Sequence, residues 1–200
     1  MLAMAGIATI LVYSCSGEHK YLTTSPDVLP ESSMLTPYAD ALDMNIISRT
    51  FSETDSSPWG AEHNGIDLVA NVNFAPFQAC FDGLVTDISR FLNQINNFWQ
   101  INVSIKYNKE YEILYAFEPM SSSEADIDVQ MENIFVSKEQ IVSAGDIIGK
   151  LLVVGNSAHV HFAMYKNNEA ICPEPYFTDD AITSMMDLVH IIDPSWIMCY

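Results

Sequence analysis

Apolar and polar residues alternate with a period of two along much of this chain, the spacing of strands that bury one face. The alternation is strictest over residues 99–107, where Trp99, Ile101, Val103, Ile105 and Tyr107 interleave with Gln100, Asn102, Ser104 and Lys106. Asn108-Lys109 then predicts a turn, and residues 111–117 a returning hairpin partner. Residues 158–165 alternate in the same way, with Val160, Phe162 and Met164 on one face and His159, His161, Ala163 and Tyr165 on the other. Weaker signals predict a first strand at residues 48–51, a strand opened by Asp67, and a strand pair over residues 77–88 turned at Asp82-Gly83. Residues 121–128 are polar and acidic and read as a surface loop. Residues 142–146 read as a turn, and residues 151–154 as a short buried run. Helical spacing shows only at residues 180–192, where Met185, Leu188, Val189 and Ile192 share a face. Short strands and frequent turns predict an all-β domain with a short helical C-terminal tail.

Composition narrows this picture. Hydrophobic residues are 49% of the 200, enough for one domain with a proper core and too many for a disordered chain. Lys and Arg number 8 against 26 Asp and Glu, for a net charge of -18. Such a surface repels nucleic acid and anionic lipid, which excludes both as partners. Residues 1–13 form an apolar run too short to span a bilayer as a mature helix, but of signal-peptide length. Val12-Tyr13-Ser14-Cys15 resembles a lipobox, so residues 1–15 are read as a signal peptide whose Cys15 becomes the lipidated first residue. The alternative is an N-terminal strand or helix with an incidental cysteine. The expected protein is exported, periplasmic or at the cell surface, and meets membrane only through that lipid.

Residues 16–46 are rich in Ser, Thr, Pro and Glu, and Pro26, Pro30 and Pro37 argue against a long helix, which predicts a tether. Residues 47–166 form the expected domain and residues 167–200 the tail. Cys172 and Cys199 flank that tail and can pair in an export compartment. Cys80, in an apolar pattern, reads as a buried thiol.

The candidate chemistry lies in histidines and one aspartate. His159 and His161 project from one strand face about 6.6 Å apart, which suits either a metal ligand beside a proton carrier or two solvated side chains. Glu62-His63-Asn64-Gly65-Ile66-Asp67 sets a histidine and an aspartate on either side of an Asn-Gly turn. His63, Asp67 and His161 together supply two imidazoles and a carboxylate, ligands that Zn2+ accepts while leaving a fourth position for water. His159 would then move a proton or stabilise charge on a carbonyl. His19 and His190 lie in the tether and the tail and read as bystanders.

Four motifs occur in a telling order: His63-Asn64-Gly65-Ile66-Asp67, Ala79-Cys80-Phe81-Asp82-Gly83-Leu84-Val85, Gly145-Asp146-Ile147-Ile148-Gly149 and His159-Val160-His161-Phe162. Over about residues 47–165 the chain resembles the M23 metallopeptidases, the lysostaphin- and LytM-like zinc endopeptidases that cut peptide cross-links in bacterial peptidoglycan. The resemblance implies an antiparallel β-sheet sandwich, zinc on His63, Asp67 and His161, catalysis by His159, and peptidoglycan peptides as substrate. It also implies a second catalytic histidine after a Tyr-x pair on the strand that follows the long hairpin. Here Phe117 falls at that position in Leu114-Tyr115-Ala116-Phe117-Glu118, with Glu118 or Tyr115 as substitutes. The alternative is a catalytically degenerate domain of the same fold that binds cell wall or a partner hydrolase.

Overall fold

The computed structural model describes residues 28–200. The expected signal peptide, Cys15 and His19 lie outside the described residues. The strictest alternation is strand β5 (Trp99–Lys106), and its hairpin partner is β6 (Tyr111–Glu118). The two-histidine stretch is β9 (His159–Lys166), and β6 pairs with it along its whole length, from Tyr111 opposite Lys166 to Glu118 opposite His159. β9 pairs on its other edge with β2 (Ile66–Ala70), which pairs with β1 (Met44–Arg49). β4 (Gly83–Leu92) lies beyond β5, and β7 (Ile141–Val142) beyond that, while β10 (Glu169–Ile171) folds back on β9. The resulting eight-stranded sheet is antiparallel throughout.

One face of this sheet is dry. Ile101, Val103 and Ile105, Ile113, Tyr115 and Phe117, and Val160, Phe162 and Met164 are all buried, as alternation demands. They are covered by a second, two-stranded sheet of β3 (Ala75–Gln78) and β8 (Ile147–Leu151). Phe77 of β3 meets Phe117 edge-on, with ring centres 5.7 Å apart. The C-terminal helix (Asp179–His190), called α2 below, adds Ala181, Met185, Leu188 and Val189 to the same core. Ile192 lies past its end and is 40% exposed.

Four local expectations are corrected. Residues 77–88 are not a hairpin, because β3 and β4 belong to different sheets. The link between them is held from outside: Ala79 exchanges backbone hydrogen bonds with Gly145 and Asp146, and the Asp82 carboxylate accepts from the Ala144 N–H. Residues 121–128 are not a loop but open helix α1 (Glu124–Glu132). Ser123 caps it by accepting from the Asp126 N–H, and Glu124 and Asp126 suit its positive end. Of the 16–46 stretch expected to be a tether, Leu29, Met34 and Tyr38 are instead core residues. Met34 is held there by backbone bonds with Tyr176 and Thr178, and Tyr38 by a 2.7 Å bond to Ser184. In the run 151–154, Leu151 and Leu152 are buried, but Val154 is exposed.

Candidate metal centre

The polar face of the large sheet carries the histidines. In the β2–β9 ladder Asp67 stands opposite His161 and Val69 opposite His159. In the β6–β9 ladder Ala116 stands opposite His161 and Glu118 opposite His159. His63 reaches the same place from the turn before β2, where Gly65 lets the backbone press against β9. A Cβ on Gly65 would lie 2.5 Å from the Phe162 carbonyl oxygen and 2.8 Å from His161 Nε2.

Three imidazoles converge on one carboxylate oxygen. Asp67 Oδ1 lies 2.9 Å from His161 Nδ1, 3.2 Å from His63 Nε2 and 3.6 Å from His159 Nε2. One donor atom from each of His63, Asp67 and His161 lies within 4.8 Å of the other two. Asp67 is almost fully buried; burial pushes its carboxyl up, but hydrogen bonds from His161 and His63 outweigh this and hold it well below the usual range. Burial pushes the His63 imidazole down, and the Asp67 carboxylate more than reverses it, leaving a raised pKa.

Two tautomers are set by backbone carbonyls, which only accept. His63 Nδ1–H donates to the Thr50 carbonyl at 2.9 Å, and His159 Nδ1–H to that of Ser157 at 2.8 Å. Each ring in its neutral form therefore turns an Nε2 lone pair toward the site. For His63 this is the orienting arrangement that metal-ligating histidines need.

Sequence reasoning missed what holds Thr50 in place. The chain end runs beside residues 50–53: Thr50 Oγ1 donates to the Ile197 carbonyl at 2.8 Å, and Phe51 and Tyr200 bond through their backbones. Trp59 stacks edge-on against His63, Trp196 and Tyr200, with ring centres 6.2, 5.4 and 5.6 Å away. A Cys172–Cys199 disulfide ties this tail down. The same disulfide closes a second grouping, Cys172, Glu174 and Cys199, to metal. Backbone bonds leave no mark in a sequence pattern, although the two tryptophans and the flanking cysteines were visible. His190 bonds the Trp196 carbonyl from α2 and takes no part in the cluster.

The structure separates Phe117 from Glu118, one of its offered substitutes. Phe117 does not face the histidines but lies fully buried in the core, opposite Val160 in the ladder. Glu118, one residue on, is the side chain that faces the site, with Oε1 3.8 Å from His159 Nε2. Burial raises the Glu118 carboxyl pKa, against the opposing pull of His159. Tyr115 also points inward, where its hydroxyl donates to Cys80 Sγ at 3.1 Å. Phe117→His is therefore expected to bury an imidazole among apolar side chains and cost about 3 kcal/mol or more, read as a lower urea midpoint with no change in bound metal.

His63, Asp67, Glu118, His159 and His161 line a cleft of about 750 Å³ with Arg49, Asn93, Asn96, Met120 and Ser157 on its walls. Two imidazoles and one carboxylate open to a cleft make a donor set that a catalytic metal such as zinc accepts. The chain belongs to peptidase family M23, whose model matches residues 61–173. Among solved structures it is similar to Csd3 of Helicobacter pylori, at 24% identity over 74% of this chain and 35% of that one, with a TM-score of 0.51. It is also similar to a zinc containing peptidase from Vibrio cholerae (21% identity, 70% and 39% covered, TM-score 0.49) and to lysostaphin from Staphylococcus simulans (18%, 74% and 55%, 0.47). The chain thus spans between about a third and about half of these relatives' lengths. No curated protein matches it.

Proposed function

We propose that the protein is a zinc-dependent endopeptidase acting on the peptide cross-links of peptidoglycan. The observation that carries this reading is the convergence of His63, Asp67 and His161 in an open cleft. The donor set fits zinc, which takes imidazole nitrogen and carboxylate oxygen and keeps a position free in catalytic sites. His63, Asp67 and His161 would hold the ion. Zinc bound there supplies Lewis acidity toward a carbonyl and lowers the pKa of a water toward neutrality.

The remaining work falls to the chain. Asp67 supplies the negative charge of the ligand set. The Thr50 and Ser157 carbonyls fix the rings of His63 and His159, so that no reorientation is needed when substrate arrives. His159 Nε2 stands ready to accept a proton or, once charged, to steady a developing oxyanion. We further propose export, with anchoring through a lipid on Cys15. Among the described residues no helix is long and apolar enough to cross a membrane.

A second reading is a non-catalytic domain that binds cell wall or a partner hydrolase; the lack of a second histidine on β6 favours it. Metal analysis of the purified protein and mass spectrometry of muropeptides incubated with it separate the two. The enzyme reading expects about one zinc per chain, cleaved cross-links, loss of cleavage in chelator and recovery on adding zinc. Intact muropeptides alongside bound zinc would favour the binding domain, and absence of stoichiometric zinc would overturn the metallopeptidase reading.

A further inference from the structure

We propose that Glu118 is a catalytic residue, the proton carrier that replaces the second histidine expected of this family; the inference rests on the peptidase reading above. Parity on β6 is the starting point. Ile113, Tyr115 and Phe117 point into the core, so Ala116 and Glu118 are the residues that β6 turns toward His161 and His159. Ala116 has no proton to move. Glu118 is thus the one group on β6 that faces the histidines and can exchange a proton.

Its surroundings suit the task. The side chain is only 14% exposed, and Oε1 stands 3.8 Å from His159 Nε2. The groups acting on it are the imidazoles of His159, His161 and His63 and the Asp67 carboxylate. Among the described residues no lysine or arginine forms an ion pair with it, unlike Glu112, which Lys106 holds at 3.3 Å. Glu118 instead stands in a 750 Å³ cleft beside three imidazoles. Glutamate as general base beside two zinc-binding histidines is an established solution in the metallopeptidases that carry both on one helix. Here strand pairing would bring the same groups together.

The step balances as an amide hydrolysis. The oxygen of a water bonds to the scissile carbonyl carbon while one of its protons passes to the Glu118 carboxylate. The C–N bond then breaks, and the proton on Glu118 moves to the departing amine nitrogen. One water is consumed, an acid and an amine leave, and Glu118 is again a carboxylate. His159, its Nδ1–H tied to Ser157, keeps Nε2 turned to the same cleft, 3.8 Å from Glu118 Oε1.

Glu118→Gln keeps the size of the side chain and removes only the capacity to carry a proton. The expected result is unchanged zinc stoichiometry, unchanged zinc affinity in a chelator competition, an unchanged melting temperature and an unaltered KM. The kcat for muropeptide cleavage falls ~10²–10⁴-fold. Glu118→His is expected to recover part of that loss, because it restores a base facing the cleft. Wild-type kcat in Glu118→Gln, with zinc retained, would overturn the proposal and leave the peptidase reading standing. A fall in zinc affinity matching the fall in kcat would also overturn it, by making Glu118 a support of the metal site. A zinc-loaded wild type that cleaves nothing would instead sink the peptidase reading, and this role for Glu118 with it.

Discussion

Asp67→Ala is expected to lose stoichiometric zinc altogether, a larger effect than the roughly 10–100-fold in affinity that loss of a supporting residue costs. Asp67 is the only anionic donor in the set. Its Oδ1 is the point on which His161, His63 and His159 converge at 2.9, 3.2 and 3.6 Å. Without it, two imidazoles remain to face a dication. Asp67→Asn keeps an acceptor oxygen but not the charge and is expected to fall between the two. Isothermal titration with zinc, or metal analysis after dialysis, reads both variants directly.

The same aspartate gives the zinc-free protein a defined pH dependence. The folded-state pKa of Asp67 lies below its ordinary 3.8, so its contribution is present above that value and is lost as pH falls through the lower one. The folded-state pKa of His63 lies above its ordinary 6.5, so its contribution is full below 6.5 and is lost as pH rises through the raised value. In chelator, the stabilisation from this pair should be greatest between about pH 4 and about pH 6.5 and decline on both sides. Asp67→Ala should flatten that profile in a series of thermal melts. Zinc competes with the proton on His63, so wild-type affinity should climb as pH rises past that plateau.

What was legible in the sequence follows from which forces leave a periodic trace. β5, β6 and β9 were readable because one face is dry and one is wet, and that difference is written into every second residue. The candidate trio of His63, Asp67 and His161 was readable because few residue types offer zinc a ligand atom. At Phe117 family spacing and strand parity point to different residues. Tyr111, Ile113, Tyr115 and Phe117 form one apolar row, and that row alone points Phe117 inward and Glu118 toward His159. α1 escaped notice because Ile127 and Gln130 are its only buried residues, too few to show a helical stripe. The pairing of β3 with β8 joins segments more than sixty residues apart, as Gln78 opposite Ile147 shows, and nothing local encodes it. Leu29, Met34 and Tyr38 were hidden by the prolines around them, which rule out a long helix but not an extended segment packed on a core.

Gly65→Ala is the test of how tightly the fold and the site are joined. The backbone of Gly65 is not in the left-handed region, so the glycine is there for closeness alone. An added Cβ would meet the Phe162 carbonyl oxygen at 2.5 Å, His161 Cε1 at 2.7 Å and His161 Nε2 at 2.8 Å. The carbonyl belongs to β9, which is hydrogen-bonded to strands on both sides and has nowhere to retreat. The imidazole is the other possible concession, and moving it pulls a proposed ligand out of place. Overpacking against such a neighbour is expected to cost about 3 kcal/mol, at the upper end of the usual range, and to weaken zinc binding together with it. Gly60→Ala separates the two effects. Gly60 has φ of +72° with nothing within 4 Å of an added Cβ, so it should cost about 1 kcal/mol of backbone strain and leave zinc affinity as it was. Urea unfolding in chelator and zinc titration on both variants read the two quantities independently. Equal zinc affinity in the two would mean that the His161 ring does not depend on the packing of Gly65 against β9.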